Sequence, residues 1–401
     1  MNKTPKLRFK EFSGDWRKTI LKKVTNGFEY GMNAASTEFD GENKYIRITD
    51  IDENTSKYIN SNVVSPLGEL EDKYLVKEND ILFARTGAST GKTYLYDKND
   101  GKLYFAGFLI RANVNSDNNA KFMFLQTKTK AYDKWVKVMS MRSGQPGINS
   151  QEYASYSFNA PSKEEQEKIA SFFSLIDDKI SLQGEKVEAL KDYKKGMMQK
   201  IFSRELRFKD DDGRDYPDWK TVEMGDITVK VGPKNKENKN YEVYSINNKV
   251  GFIPQNEQFE DSRLDGLDKS LYKIINKGEF AYNPARINVG SIGVLEEDKT
   301  VIVSSLYVCF KFINNLNYRF FMQYFLYPQF NKDVIRNTEG TVREYLFYEN
   351  FSNIKVNIPC LEEQNKIAKL LDSLDNKIRV EKNKVDSLNE YKKGLLQQMF
   401  V

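Results

Sequence analysis

Histidine is absent from this chain of 401 residues, and with it goes the commonest general base, proton shuttle and metal ligand. Enzymes without a catalytic histidine exist, so the absence lowers the odds of catalysis without excluding it. Cysteine is almost absent: Cys309 and Cys360 are the only two. Two thiols make neither a disulfide framework nor a four-ligand zinc site. No apolar run approaches the ~18 residues that a membrane-spanning helix needs. The segment from Met1 to Lys10 is polar and lacks the apolar stretch of a signal peptide. A cytoplasmic protein is expected. A strong excess of one charge is also missing, since 62 basic residues face 57 acidic ones for a net +5. Residues 1–162 hold 24 Lys and Arg against 19 Asp and Glu, whereas residues 203–360 hold 22 against 23. Any phosphate-binding surface must therefore be a local patch, above all in the second half.

What the chain does have is an internal repeat. Pro161–Phe202 aligns without a gap onto Pro359–Phe400 at an offset of 198, with 19 of 42 positions identical. Glu164-Glu165-Gln166 returns as Glu362-Glu363-Gln364, and Tyr193-Lys194-Lys195-Gly196 returns as Tyr391-Lys392-Lys393-Gly394. A second pair lies outside these segments. Leu7-Arg8-Phe9-Lys10 matches Leu206-Arg207-Phe208-Lys209, and Asp15-Trp16 matches Asp218-Trp219 after a four-residue insertion. Each half reads as a lead-in, a variable globular part and a long helix. A shared frame with divergent middles suggests two modules doing one job on different targets.

The repeated segments carry a heptad seam. In the first copy it runs through Ile169, Phe173, Ile176, Ile180, Val187 and Leu190. In the second it runs through Ile367, Leu371, Leu374, Ile378, Val385 and Leu388. Gln183 and Lys194 interrupt the first seam, and Glu381 and Lys392 interrupt the second at the same places. Proline stands just before each start, where a helix tolerates it. At 1.5 Å per residue, ~40 residues make a rod of ~60 Å. The matching heptads predict an antiparallel coiled coil, and each polar interruption must then find a partner or solvent. The middles read as mixed and strand-rich. Lys44–Thr49, Asp80–Ala84, Glu279–Tyr282 and Val301–Val303 are short β-prone runs, and Phe122–Val138 and Tyr318–Val334 read as helices.

These residues resemble a known family, the specificity subunits of type I restriction-modification systems. The carriers are the Pro-x-x-x-Glu-Gln-x-x-Ile-Ala segment from Pro161 and its copy from Pro359. Added to these are the helix-ending Tyr-Lys-Lys-Gly, the run Asn79-Asp80-Ile81-Leu82-Phe83-Ala84-Arg85-Thr86-Gly87 and the domain–helix–domain–helix order. The resemblance covers the whole chain. It implies an α+β fold of two target recognition domains, 1–160 and 204–358, separated by two long spacer helices, 161–203 and 359–401, with a pseudo-twofold repeat. Each domain would read one half of a bipartite, asymmetric site in double-stranded DNA. The helices would fix the spacer and dock two methyltransferase subunits, which motor-nuclease restriction subunits then join. The chain itself would be non-catalytic and hold no cofactor. S-adenosylmethionine, ATP and magnesium would sit on the partner subunits.

The candidate DNA-binding residues lie in loops. Arg85-Thr86-Gly87-Ala88-Ser89-Thr90-Gly91-Lys92-Thr93 tempts toward a nucleotide-binding loop, but Thr86 stands where that motif needs a glycine. Arg85, Ser89 and Lys92 read better as DNA contacts on a small-residue loop, the bland alternative being a solvated turn. Asn283, Arg286 and Asn288 form a comparable set, since arginine can grip guanine and asparagine adenine by paired hydrogen bonds. The segment Asn283-Pro284-Ala285-Arg286 lacks the second proline and the aromatic of an adenine-methyltransferase motif. Lys234 and Lys236 lie in the best basic patch of the second half and suit phosphate contact. Arg142, Gln145 and Arg343 occupy polar loops before each long helix. Pro217-Asp218 with Glu237-Asn238-Lys239 mimics a nuclease pattern. The repeat argues against it, because Asp218-Trp219 copies Asp15-Trp16, and both tryptophans read as anchors for the domain lead-in. Two other classes stand beside the leading one: a stand-alone restriction or methylation enzyme, and a coiled-coil adaptor that binds proteins only.

Overall fold

The computed structural model describes residues 4–141, 144–248, 251–255, 268–339 and 345–401. The chain divides into two compact units. The first is Met1–Gly184 with Asn383–Val401, and the second is Glu185–Lys382. The division cuts both long helices, Lys163–Phe202 and Leu361–Met399. Each unit therefore owns a globular part, the near end of one helix and the far end of the other.

In the first unit a strand at Arg17–Ile20 pairs antiparallel with Ser157–Ala160, closing the globular part just before the helix begins. The central sheet is antiparallel and runs Thr25–Tyr30, Leu109–Val114, Asp80–Ala84, Thr93–Leu95. A parallel pair, Lys44–Ile46 with Leu103–Phe105, flanks it. The second unit repeats the plan. Lys220–Glu223 pairs with Lys355–Ile358. The antiparallel sheet runs Thr228–Lys230, Val308–Phe312, Phe280–Tyr282, Ile292–Val294. The parallel pair Glu242–Asn247 with Val301–Val303 gains an edge strand on each side, Gly251–Pro254 and Lys273–Ile275.

The helical run expected over Phe122–Val138 is two helices, Ala120–Gln126 and Lys130–Met139. The break falls at Thr127-Lys128-Thr129, where the Thr129 hydroxyl accepts the Tyr132 N–H at 3.3 Å and starts a new helix. The equivalent run breaks the same way into Tyr318–Tyr324 and Pro328–Asn337, with Pro328 in the first turn. The strand expected over Lys44–Thr49 ends at Ile46, and Ile48–Asp50 is a 3-10 turn in which Asp50 accepts the Arg47 N–H.

The helices pair antiparallel within each unit. In the first, the Phe173 and Phe400 rings pack with centres 6.1 Å apart and planes tilted by 60°, and Asp177 meets Lys392 at 2.5 Å. In the second, Lys186 meets Glu381 at 3.1 Å and Lys194 meets Asp375 at 2.6 Å. The interrupting charges Lys194, Glu381 and Lys392 thus all have partners. Seam burial grades along each unit. Ile169, Phe173 and Ile176 are buried and Ile180 is half-buried; Ile367, Leu371 and Leu374 are buried and Ile378 is half-buried. Val187 is buried, while Leu190, Val385 and Leu388 are half-buried. The gradient has a plain cause. Near the globular part a third layer covers the seam, with Trp16 and Phe122 over the first helix and Trp219 and Phe320 over the second. Farther along, two helices cover only each other.

Candidate nucleic-acid interface

Two loops meet at the tip of each globular part. In the first unit the hairpin between Asp80–Ala84 and Thr93–Leu95 carries a 3-10 turn at Gly87–Ser89. The loop that precedes the helix Ser150–Ser155 lies against it. The Gly87 N–H donates to the Pro146 carbonyl at 2.9 Å, and the Ile148 N–H donates to the Arg85 carbonyl at 3.0 Å. The second unit builds the same junction. The hairpin between Phe280–Tyr282 and Ile292–Val294 carries a turn at Ile287–Val289, and the Leu346 N–H donates to the Pro284 carbonyl at 3.1 Å. Main chain does the joining in both cases, so side chains at the tips are free to differ.

Arg85 is the most constrained of the expected contacts. Its Nε donates to the Gly107 carbonyl at 3.0 Å, and its guanidinium lies 5.0 Å from the centre of the Tyr30 ring. Both contacts fix the guanidinium, which with Tyr30 lines a cleft of about 630 Å³. The cleft is walled by Tyr30, Arg47, Arg85 and Phe108, and Phe108 is 57% exposed. Tyr30, Arg47 and Phe108 were not legible as site residues. The available signal was a glycine beside each exposed aromatic, Tyr30-Gly31 and Gly107-Phe108. A Cβ on Gly31 would fall 2.2 Å from the Ala106 carbonyl oxygen, so two backbones meet there and push the aromatics outward. Gln145 is exposed beside Gly87, and Ser89 is half-buried in the turn. Lys92 lies at the foot of the hairpin and pairs with Glu53 at 2.6 Å. Thr93 opens a strand, not a helix, so the phosphate-loop architecture is absent here.

In the second unit Asn283 is spent inside its own loop, accepting the Ala285 N–H at 3.0 Å. Arg286 is exposed and Asn288 is half-buried; neither side chain has a partner among the described residues. Lys234 and Lys236 are exposed and likewise unpaired there, whereas their neighbours Lys230 and Lys239 pair with Glu349 and Glu237. The lysines do not join the hairpin. Lys234 bridges to Lys273 on one edge strand of the flanking sheet, while Gly293 packs against Gly251 on the other edge. Four strands at ~4.8 Å spacing put the two features ~14 Å apart or more. Arg142 and Arg343 lie outside the described residues.

The repeated sequence motif has a mechanical meaning. Glu165 is buried and receives Arg8 through two nitrogens, at 2.8 and 2.7 Å, and the Trp16 indole N–H at 3.3 Å. Glu363 receives Arg207 at 3.3 and 2.8 Å and Trp219 at 3.1 Å. The next residue reaches the other way. Gln166 accepts the Asn119 N–H at 3.0 Å and donates to the Pro161 carbonyl at 3.1 Å. Gln364 repeats this with Asn317 at 3.0 Å and Pro359 at 2.9 Å. Glu-Gln thus rivets the lead-in strand and the first small helix to the start of the long one. The tryptophans are anchors, as their repetition implies, while the Arg and Glu of each clasp went unread. They too recur in the two repeated segments, and that was the signal.

Among the described residues no group of three or more His, Cys, Asp or Glu is placed to hold a metal ion. No described helix is long and apolar enough to cross a membrane.

Two mixed domains, each with parts of both long helices and a joined pair of loops, define an internally repeated modular scaffold. A family model described as the type I restriction modification DNA specificity domain matches residues 23–192 and 216–390. The chain belongs to this family, and it is a specificity subunit whose domains recognise DNA sequence. It is 25% identical over 370 residues to the type I restriction enzyme MjaVIII specificity subunit of Methanocaldococcus jannaschii, covering 85% of this chain and 83% of that one. It is 24% identical over 422 residues to the putative type I restriction enzyme MjaX specificity subunit of the same organism, covering 98% and 94%. In fold it is similar to the crystal structure of the type I restriction-modification system S subunit from M. genitalium, with a TM-score of 0.58 and 17% identity over 99% of both chains.

Proposed function

We propose that this chain is a non-catalytic, cytoplasmic subunit that reads a bipartite, asymmetric site in double-stranded DNA, one half per target recognition domain. The domains are 1–160 and 204–358, and the helices between them set the spacer and dock two methyltransferase subunits, with motor-nuclease subunits joining that core. S-adenosylmethionine, ATP and magnesium belong to those partners. The observation that carries this reading is the recurrence of the hairpin-and-loop junction with different tips: Arg85, Ser89 and Gln145 on one, Arg286 and Asn288 on the other. One frame holding two unlike tips is what two unlike half-sites require. Arg85 is the strongest base reader, because a guanidinium held in place at a cleft wall suits the paired acceptors of guanine. Lys234 and Lys236 suit phosphates, being exposed, unpaired and remote from the hairpin.

The test is to express the chain with its methyltransferase subunit and map methylated adenines across the host genome. A single two-part motif methylated on both strands is the expected result. Arg85→Ala should then relax one half of that motif, and Arg286→Ala the other. Reversing Lys234 and Lys236 to Glu should weaken binding to every sequence and flatten its salt dependence, by about 0.9 in logarithmic slope for each phosphate no longer neutralised. Lysine variants that shift the motif at unchanged affinity would reverse the assignment.

A further inference from the structure

A reading loop must hold its shape before DNA arrives, since ordering it on contact would cost affinity and blur discrimination. The Arg85–Thr90 hairpin of the first unit stands between Ala84 and Gly91, and its base is gripped from below. The Tyr153 hydroxyl donates to the Ala84 carbonyl at 2.6 Å and accepts the Gly91 N–H at 3.2 Å. The Tyr132 hydroxyl donates to the Gly91 carbonyl at 3.1 Å. The two phenols come from separate helices, Lys130–Met139 and Ser150–Ser155, and are 1% and 0% exposed. Burial pushes both phenols up, so they stay neutral donors at any working pH. Gly91 has φ +93°, and a Cβ there would fall 2.5 Å from Val136 Cγ1, one turn along from Tyr132. The base of the loop is thus seated on the helix with no room to shift.

The second unit supplies the control. At the repeat offset of 198 the two tyrosines become Phe330 and Phe351, both buried in equivalent helices. Main chain closes both hairpin bases, through the Gly91 N–H on the Ala84 carbonyl at 3.0 Å in the first unit and the Asn283 N–H on the Ser291 carbonyl at 3.0 Å in the second, where the Ser291 hydroxyl also reaches the Ile246 carbonyl of the flanking sheet at 3.0 Å. The fold needs a ring at each place and does not need the hydroxyl.

We propose that Tyr132 and Tyr153 are positioning residues for base recognition by the first unit: their hydroxyls lock the Arg85–Thr90 hairpin in its reading conformation. This rests on the reading that the hairpin contacts bases. Phenylalanine keeps the core packing and removes only the grip. With water excluded, nothing replaces the donor to the Gly91 carbonyl, and the hairpin gains conformations in which Arg85 misses its base.

The experiment uses the full chain co-expressed with its methyltransferase subunit, in wild-type form and as Tyr132→Phe, Tyr153→Phe and the double variant. The readouts are the genome-wide methylation motif and the melting temperature. The expected result is a roughly tenfold rise in methylation at sites altered in one half only, the scale of one missing hydrogen bond. The other half should keep its discrimination, and the melting temperature should fall by a few degrees at most for the single variants, as one unpaired buried carbonyl requires. Unchanged discrimination in both halves would overturn the proposal. So would equal loosening of both halves with a larger fall in melting temperature, which marks a role in the fold alone. A wild-type complex that methylates no two-part motif would overturn the underlying reading before any variant is made.

Discussion

At the residue scale the least expected group is Lys128, in the break between the two small helices of the first unit. Its ammonium is enclosed, donating to the Ser56 and Thr93 hydroxyls at 2.6 Å each and lying 4.4 Å from the Phe124 ring centre, although part of the side chain reaches solvent. Desolvation, reinforced by Lys392 nearby, pulls its pKa down to about 7, while Asp133 opposes the shift and Lys121 adds to it. The sign of the linkage follows. Above the ordinary value of 10.5 both folded and unfolded chains hold a neutral amine. As pH falls from there toward about 7 the unfolded chain takes the proton first, so stability drains away, and below about 7 no further loss occurs. Lys128→Met should therefore raise the melting temperature at pH 7 and flatten its dependence on pH between 7 and 10.5. An unchanged slope in thermal melts across that range would show that the amine finds water freely. No pattern in the sequence marks this residue. The repeat partner of Lys128 is Leu326, and only the folded neighbourhood turns an ordinary loop lysine into a buried one.

At the element scale the helix pair distributes its charges unequally. Asp177 meets both Lys121, at 2.6 Å, and Lys392. Its counterpart Asp375 meets Lys194 and the neutral Gln323 amide, the latter at 2.8 Å. Removing Asp177 would leave two half-buried ammonium groups facing each other beside Lys128, whereas removing Asp375 would strand one. Asp177→Ala should cost about 2–3 kcal/mol and Asp375→Ala about 1–2 kcal/mol, since Lys194 is buried while Asp375 itself is partly exposed. Urea unfolding of the two variants checks the order, and equal midpoints would refute it. The long helices were legible because a narrow heptad stripe persists over forty residues and because two copies reinforce each other. The short elements were less so. The parallel pairing of Lys44–Ile46 with Leu103–Phe105 joins segments far apart in sequence, which no local pattern announces. The break at Thr127–Thr129 was overridden by apolar periodicity that runs straight through it, since Phe122, Leu125, Tyr132 and Val136 keep one face across the gap. The hairpins announced themselves through glycine. Their grip by Tyr132 and Tyr153 did not, because a buried tyrosine and a buried phenylalanine look alike until a hydroxyl partner is seen.

At the scale of the whole chain, the repeat closes on itself. The Leu206 N–H donates to the Lys200 carbonyl at 3.0 Å, tying the end of the first long helix to the segment that follows it. The Leu7 N–H donates at 2.9 Å to the carbonyl of Gln398, the repeat partner of Lys200. What a direct connection does in one unit, two distant stretches of chain do in the other. A full-length chain with its ends joined by a short linker and reopened at Ser203 should fold, melt within a few degrees of wild type and support the same methylation motif. Loss of folding in that permuted chain would count against the equivalence of the two junctions. The arrangement also orders events on the ribosome. The second unit is one continuous stretch, Glu185–Lys382, and can complete itself as soon as that stretch has emerged. The first unit is synthesised first, yet Leu395, Leu396, Met399 and Phe400 belong to its core, with Phe400 6.2 Å from Trp16 and 5.2 Å from Phe122. Its apolar face therefore stays open until residues 395–400 have been made. A chain interrupted anywhere before them keeps a wet, sticky first unit that quality-control proteases can see, so only a nascent subunit carrying both ends of the repeat leaves synthesis with that core closed.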